Sequence, residues 1–140
     1  VSIEFATADA DIAKCFPVVV QLRPHLTETA FVEQVKRQQE NGYHLVYLEE
    51  NGVKAIAGFR ILEMLANGRF LYVDDLVSDD SERSKGYGKN LMSWLTDYAR
   101  TQNCISLQLD SGTHRVRAHR FYFRQGMAIT SFHFSLKLND

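Results

Sequence analysis

The sequence predicts an α/β fold of the mixed-sheet kind: one central, mostly antiparallel sheet flanked by about four helices. Three observations carry that expectation. Two Asn-Gly dipeptides, Asn51-Gly52 and Asn67-Gly68, separate three runs of strand character, and Asn-Gly tolerates the positive φ angles of a tight hairpin turn. Segments with helical spacing of apolar residues stand before and after that meander. A further strand, helix and alternating segment follow, so strands and helices share one core. A chain of 140 residues is about one domain's worth, and residues 1–140 are expected to form a single domain.

Taken in order, residues 2–6 alternate weakly and predict a strand. Residues 9–22 carry Ile12, Cys15, Phe16 and Val19 at helical intervals, although Pro17 and the run Val18–Val20 weaken a helix there. Residues 27–40 form a better helix, with Thr27 or Thr29 as cap, Phe31, Val32 and Val35 on one face, and Asn41-Gly42 as the stop. Three strands are expected over 43–49, 53–65 and 69–78. A polar stretch, 79–85, leads to a helix over 86–101 with Leu91, Leu95 and Tyr98 on one stripe. A strand over 105–109, a helix ending near Gln125-Gly126, and an alternating strand over 128–138 that closes the sheet complete the order.

Composition narrows the function classes. A formal net charge of −1 argues against a general nucleic-acid or anionic-membrane binder. No apolar run is long enough to span a bilayer, and the first residues do not form a signal peptide. The two cysteines, Cys15 and Cys104, lie in apolar surroundings and suggest buried filler rather than a disulfide framework. The cytoplasm is the expected location. No His, Cys, Asp or Glu set has metal-ligand spacing, so no metal is expected.

The strongest chemical signal is Arg83-Ser84-Lys85-Gly86-Tyr87-Gly88-Lys89, between a strand and a helix. Glycines there let backbone amides approach a ligand, and the helix start offers free N–H groups with a positive dipole end. Three cations within seven residues make a pyrophosphate the natural guest. A P-loop would need Ser or Thr after Gly88-Lys89, where this chain has Asn90, and a dinucleotide fingerprint would need glycine at Leu91. Alone, Gly-x-Gly is equally a solvated basic turn.

Its context says more. Arg-x-x-Gly-x-Gly after a meander strand, together with Ala118-His119-Arg120-Phe121-Tyr122-Phe123-Arg124-Gln125-Gly126-Met127, resembles the two signatures of the Gcn5-related N-acetyltransferase (GNAT) superfamily. The likeness is detailed from about Arg69 to Met127. It implies a GNAT fold whose sheet splays between its fourth and fifth strands, and acetyl-CoA as acetyl donor. Leu76, Val77 and Ser78 would then present backbone groups to the pantetheine arm, with an N–H at or near Val77 for the oxyanion. Residues 83–89 would hold the pyrophosphate, and Tyr122 would occupy the position of the acid that reprotonates the thiolate. Tyr122 could also be a core aromatic.

A primary amine must lose a proton before it attacks a thioester. Asp74 and Asp75 are the candidate bases, because adjacent carboxylates inside a strand are costly unless one faces a cleft. Asp74 comes first, as alternation puts it on the face of Tyr72, and Asp75 second. Some GNAT members carry a glutamate where this chain has Tyr72. Asp79, Asp80 and Glu82 are expected to face solvent, whereas Asp74, Asp75 and Asp110 would favour a cationic amine if they line the cleft. His25 and His44 are expected to be structural.

A second, shorter resemblance joins Arg117-Ala118-His119-Arg120-Phe121-Tyr122 and Ser131-Phe132-His133-Phe134 to aminoalkylphosphonate N-acetyltransferases. It would give His114, Arg115 and Arg117 an anionic substrate group to bind; all three are equally exposed cations at a helix start. The expected function is therefore transfer of acetyl from acetyl-CoA to a small-molecule amine. A protein or peptide acetyltransferase and a non-catalytic acetyl-CoA sensor are the alternatives. The resemblance admits a homodimer.

Overall fold

The computed structural model describes residues 1–82 and 85–139. The chain divides into two compact units, residues 1–109 and 110–140, each taken by itself below.

The first unit is built on five strands in sequence order: β1 (Ser2–Phe5), β2 (His44–Glu49), β3 (Val53–Met64), β4 (Gly68–Ser78) and β5 (Ser106–Leu109). β1 to β4 are antiparallel neighbours, and β5 runs parallel to β4 at the edge. The first Asn-Gly turn forms as expected, with φ of 57° at Asn51 and 101° at Gly52. Helices α1 (Asp9–Leu22) and α2 (Glu28–Gln39) precede β2, and α3 (Tyr87–Thr101) joins β4 to β5. Pro17 does not break α1; the buried side chains of Ile12, Cys15, Val18 and Val19 hold the helix to the sheet despite the missing backbone donor. Thr27 caps α2 by accepting the Ala30 N–H at 3.3 Å.

Two cores result, one on each face of the sheet. On one side α1 and α2 cover Tyr43, Leu45, Tyr47 and Ile56. On the other, Leu91, Leu95 and Ala99 of α3 meet Val46, Leu48, Phe59, Leu71 and Val73. The apolar spacing of α3 thus lies against alternate residues of β2, β3 and β4, as periods of 3.6 and 2 require.

Two features of β4 depart from plain alternation. Gly58 pairs with Asp75 and the next residue, Phe59, pairs with Val73, so Asp74 is the extra residue of a β-bulge. Pairing to β5 covers only Phe70–Val73, whereas pairing to β3 continues to Ser78. Over residues 74–78, β4 therefore has a ladder on one side only within this unit.

The second unit contains α4 (Val116–Arg124), closed by bonds from Gly126 N–H to Phe123 O and from Met127 N–H to Tyr122 O, 3.0 and 3.1 Å. Residues 127–139 form neither helix nor ladder within it, so the expected closing strand is not among the described elements. Alternation in 128–138 states which side chains share a face. A strand also needs a partner, and the described residues of 110–139 hold no second one.

Cys15 is fully buried, while Cys104 is partly accessible; only the first is the filler expected of both. Burial pushes the Cys15 thiol up to about 12. Native protein is expected to yield one reactive thiol to Ellman's reagent, that of Cys104, with Cys15 reacting only on unfolding. Two thiols reacting at equal rates before unfolding would contradict the packing of α1.

Candidate functional site

The bulge decides where the two adjacent carboxylates point. In register, Asp75 stands beside Gly58 and Tyr72 beside Arg60. Residues 58 and 60 share a face of β3, so Asp75 joins Tyr72 on that face, and Arg60 draws the Asp74 carboxylate to it as well. The inserted residue thus adds Asp75 to the face where simple alternation put Asp74 alone.

Asp74 is committed to Arg60. Arg60 Nε lies 3.1 Å from both carboxylate oxygens and Nη2 lies 2.7 Å from Oδ2, a planar fork. Burial raises the Asp74 pKa, with Arg60 opposing that shift and the charge of Asp75 adding to it.

Asp75 faces a cavity of about 310 Å³ between the sheet and α1–α2. Its apolar wall is Val19, Leu26, Phe31, Val35 and Ile56, and its polar lining is Arg23, His25, Gln34, Gln38, Tyr43 and Asp75. Tyr43 donates its hydroxyl to Asp75 Oδ2 at 2.8 Å. Arg23, the residue that ends α1, donates Nε to Asp75 Oδ1 at 3.1 Å and Nη2 to the Asp74 carbonyl at 3.2 Å. Arg60 also sits 5.4 Å from the Tyr43 ring centre. Two arginines thus balance two aspartates, and the expected bias toward a cationic ligand is not built into this site. His25, expected to be merely structural, lines the cavity.

The strand edge leads toward the glycine loop. Arg83 and Ser84 lie outside the described residues. Gly86, with φ +82°, is the N-cap of α3, and no side chain caps the helix there. The first turn bond is Asn90 N–H to Gly86 O at 2.9 Å, so the amides of Tyr87, Gly88 and Lys89 have no intrahelical acceptor. No acid stands in that first turn, and a Cβ on Gly86 would meet nothing within 4 Å. Free amides, a dipole end, Lys89 and open space fit a phosphate group, and the one-sided ladder of Leu76, Val77 and Ser78 fits an amide-bearing chain.

Lys85 lies 2.6 Å from Glu82, which also meets Lys54 at 3.2 Å. Glu82 is therefore not the solvent-facing acid expected, its side chain being only 17% accessible; the hydrogen bond from Lys85 leads in holding its carboxyl below the usual range. Asp79 accepts the Ser81 N–H and hydroxyl at 3.0 and 2.9 Å.

In the second unit, Tyr122 stands on α4 with its ring edge-on to Phe121 at 5.6 Å. Burial raises its pKa, and the charge of Arg115, with a hydrogen bond from it, draws it part of the way back. Arg115, the N-cap residue of α4, thus engages Tyr122. His119 Nε2 is 2.8 Å from Gly112 O, and Asp110 is 3.6 Å from His133. No group of three or more His, Cys, Asp or Glu among the described residues is placed to hold a metal, and none of their helices is long and apolar enough to cross a membrane.

Sequence reading missed Arg23, Tyr43, Gly58 and Arg60. Each acts on a residue of another segment, far enough along the chain that no local pattern links the two.

Comparison with known proteins gives a consistent picture. Residues 8–127 match the acetyltransferase (GNAT) family. The chain is 33% identical over 131 residues to the uncharacterized N-acetyltransferase YhdJ of Bacillus subtilis (strain 168), covering 91% of this chain and 92% of that one. Among solved structures it resembles the ribosomal-protein-alanine N-acetyltransferase of Brucella melitensis biovar Abortus 2308, with a TM-score of 0.83, 18% identity, and 99% and 100% of the two chains covered. It also resembles AAC(6')-Iy in complex with the bisubstrate analogue CoA-S-monomethyl-acetylneamine, with a TM-score of 0.81, 14% identity, and 99% and 98% covered. At such identities the structural likeness speaks for the fold.

Proposed function

The chain belongs to the acetyltransferase (GNAT) family and is an N-acetyltransferase, and we propose that it moves acetyl from acetyl-CoA to the primary amine of a small molecule held against Asp75. The observation that carries this reading is the cavity of about 310 Å³, which has a carboxylate at the very strand segment whose other edge carries no ladder within residues 1–109. Its size is at the lower end for small-molecule pockets, which supports a compact acceptor over an extended peptide.

Members of the family generally draw their acetyl group from acetyl-CoA. Here the amides of residues 87–89 and Lys89 would take its pyrophosphate, with Arg83 and Ser84, outside the described residues, assigned by resemblance alone. Leu76–Ser78 would pair with its pantetheine amides. Lys85 contributes less than its charge suggests, because Glu82 already holds it.

In the proposed reaction Asp75 accepts a proton from the substrate ammonium, directly or through water. The neutral nitrogen attacks the thioester carbonyl, forming the N–C bond, and a backbone N–H near Val77 stabilises the oxyanion. The C–S bond then breaks; by the resemblance Tyr122 would donate its proton to the thiolate, while the attacking nitrogen loses its second proton to water to give the neutral amide and the phenolate regains one from solvent. A pKa raised by burial keeps that phenol protonated at neutral pH, as a donor must be.

Arg23 and His25, lining the same cavity, would suit an amine that also carries a carboxylate or phosphonate. This keeps aminoalkylphosphonates and amino acids ahead of polyamines as candidates. The test is thiol release from acetyl-CoA with a panel of aminoalkylphosphonates, amino acids, polyamines, aminoglycosides and peptides. Turnover with peptides alone would overturn the small-molecule reading, and tight acetyl-CoA binding with no turnover would favour a sensor.

Tyr122→Phe is expected to lower kcat by about 100-fold, the ordinary worth of a positioned acid, with acetyl-CoA affinity unchanged by calorimetry. Wild-type turnover across the pH profile would remove Tyr122 from the acid role.

A further inference from the structure

We infer that Tyr43 and Gly58 form a positioning device for Asp75: the Tyr43 ring passes over the bare backbone of Gly58, and its hydroxyl holds the Asp75 carboxylate turned into the cavity. The inference rests on the proposed role of Asp75 and deepens it.

Tyr43 immediately precedes β2 and Asp75 stands on β4, with β3 between them. A tyrosine can bridge two strands across a third only where the intervening residue leaves its path clear. A Cβ at Gly58 would lie 1.7 Å from the Tyr43 hydroxyl oxygen, 2.4 Å from Cζ and 2.7 Å from Cε1. No side chain fits there while the ring keeps its place.

Backbone conformation does not explain this glycine. Gly58 is not among the positive-φ residues and is paired on both sides, with Leu45 and with Asp75. A glycine inside a central strand weakens it. What the missing side chain provides is passage for the ring.

Among the described residues, charged and titratable groups come to the side of Asp75 from several elements, Tyr72 of β4 among them. Arg23 comes from the end of α1, Asp74 and its partner Arg60 from β4 and β3, and His25 lines the same cavity. Arg23 is 41% accessible in its side chain, so solvent and salt screen it. Tyr43 is 4% exposed, and burial foremost holds its hydroxyl protonated as a fixed donor. A buried donor fixed on one carboxylate oxygen sets the direction of that carboxylate.

The test follows the Asp75 side-chain carboxyl carbon by NMR at neutral pH, in parallel with kcat/KM for the best amine of the panel. In Tyr43→Phe the Asp75 carboxyl resonance is expected to move as its fixed donor is lost, and kcat/KM to fall about tenfold while the KM for acetyl-CoA stays fixed. Gly58→Ala should give the same change although the tyrosine is present, and the double variant should add nothing further. Should Gly58→Ala fail to fold, Tyr43→Phe, which removes one oxygen, carries the test. An unmoved resonance in Tyr43→Phe, even with reduced stability, overturns the inference. A moved resonance with full activity in Asp75→Asn upholds the positioning and overturns the role of Asp75 as base. An unmoved resonance with inactive Asp75→Asn does the reverse.

Discussion

Asp75→Asn is expected to lower kcat/KM for the amine by about 100-fold or more, the scale on which a positioned base works, while acetyl-CoA binding stays near wild type. Asp74→Asn should behave differently, although the two residues are adjacent and chemically alike. Asp74 takes a three-contact fork from Arg60, in a pair whose side chains are 26% and 22% accessible. Removing its charge leaves a half-buried guanidinium without its counterion, which costs about 1–3 kcal/mol when the partner is incompletely desolvated. That loss belongs to stability and should appear as a lower midpoint in chemical denaturation, with kcat/KM reduced less than in Asp75→Asn. Asp75 has only an exposed arginine and one tyrosine to lose, so its substitution should leave the denaturation midpoint nearly in place. The opposite pairing, a kinetic defect at 74 and a stability defect at 75, would return the base to Asp74.

What distinguishes these two residues could not be read from the chain. Asn51-Gly52 announced its turn because a local backbone demand selects local residues, and Thr27 announced a helix start for the same reason. The spacing of Leu91 and Leu95 likewise told which face of α3 is buried. The bulge at Asp74 has no such signature: one inserted residue passes the side-chain alternation from one face to the other, and nothing in Val73-Asp74-Asp75-Leu76 says which residue is extra. Tyr43 and Arg23 reach Asp75 across 32 and 52 residues of sequence, and their role exists only once β2 and α1 are laid against β4. Gly58 carries its meaning in the space a tyrosine needs, which no turn propensity encodes. Alternation in residues 128–138 was legible as a pattern, yet a ladder is a property of two segments, and the pattern of one cannot supply the other. The glycine loop was legible because amides at a helix start and glycine at its cap are local facts.

That loop carries the second large expected effect. Gly86→Val should abolish detectable acetyl-CoA binding in calorimetry at concentrations that saturate the wild type. The cause is conformational, because a Cβ at 86 would touch nothing within 4 Å. Gly86 holds φ +82° and ψ 10° at the start of α3, a region that a β-branched residue enters only under strain, at about 1–3 kcal/mol. Valine would relieve that strain by swinging the backbone out of the left-handed region, turning the amides of Tyr87, Gly88 and Lys89 away from a common point. Asparagine tolerates the left-handed region better than other side chains, so Gly86→Asn should keep affinity within about tenfold of wild type. The rest of α3 is held by Leu91, Met92, Leu95 and Ala99, all buried, so circular dichroism should show unchanged helix in both variants. Lys85→Ala should matter little, since Glu82 already holds that ammonium, whereas Lys89→Ala removes a charge from the helix start itself. Normal affinity in Gly86→Val would mean that the pyrophosphate is held elsewhere, and the resemblance that first drew attention to residues 83–89 would have named the family without naming its binding loop.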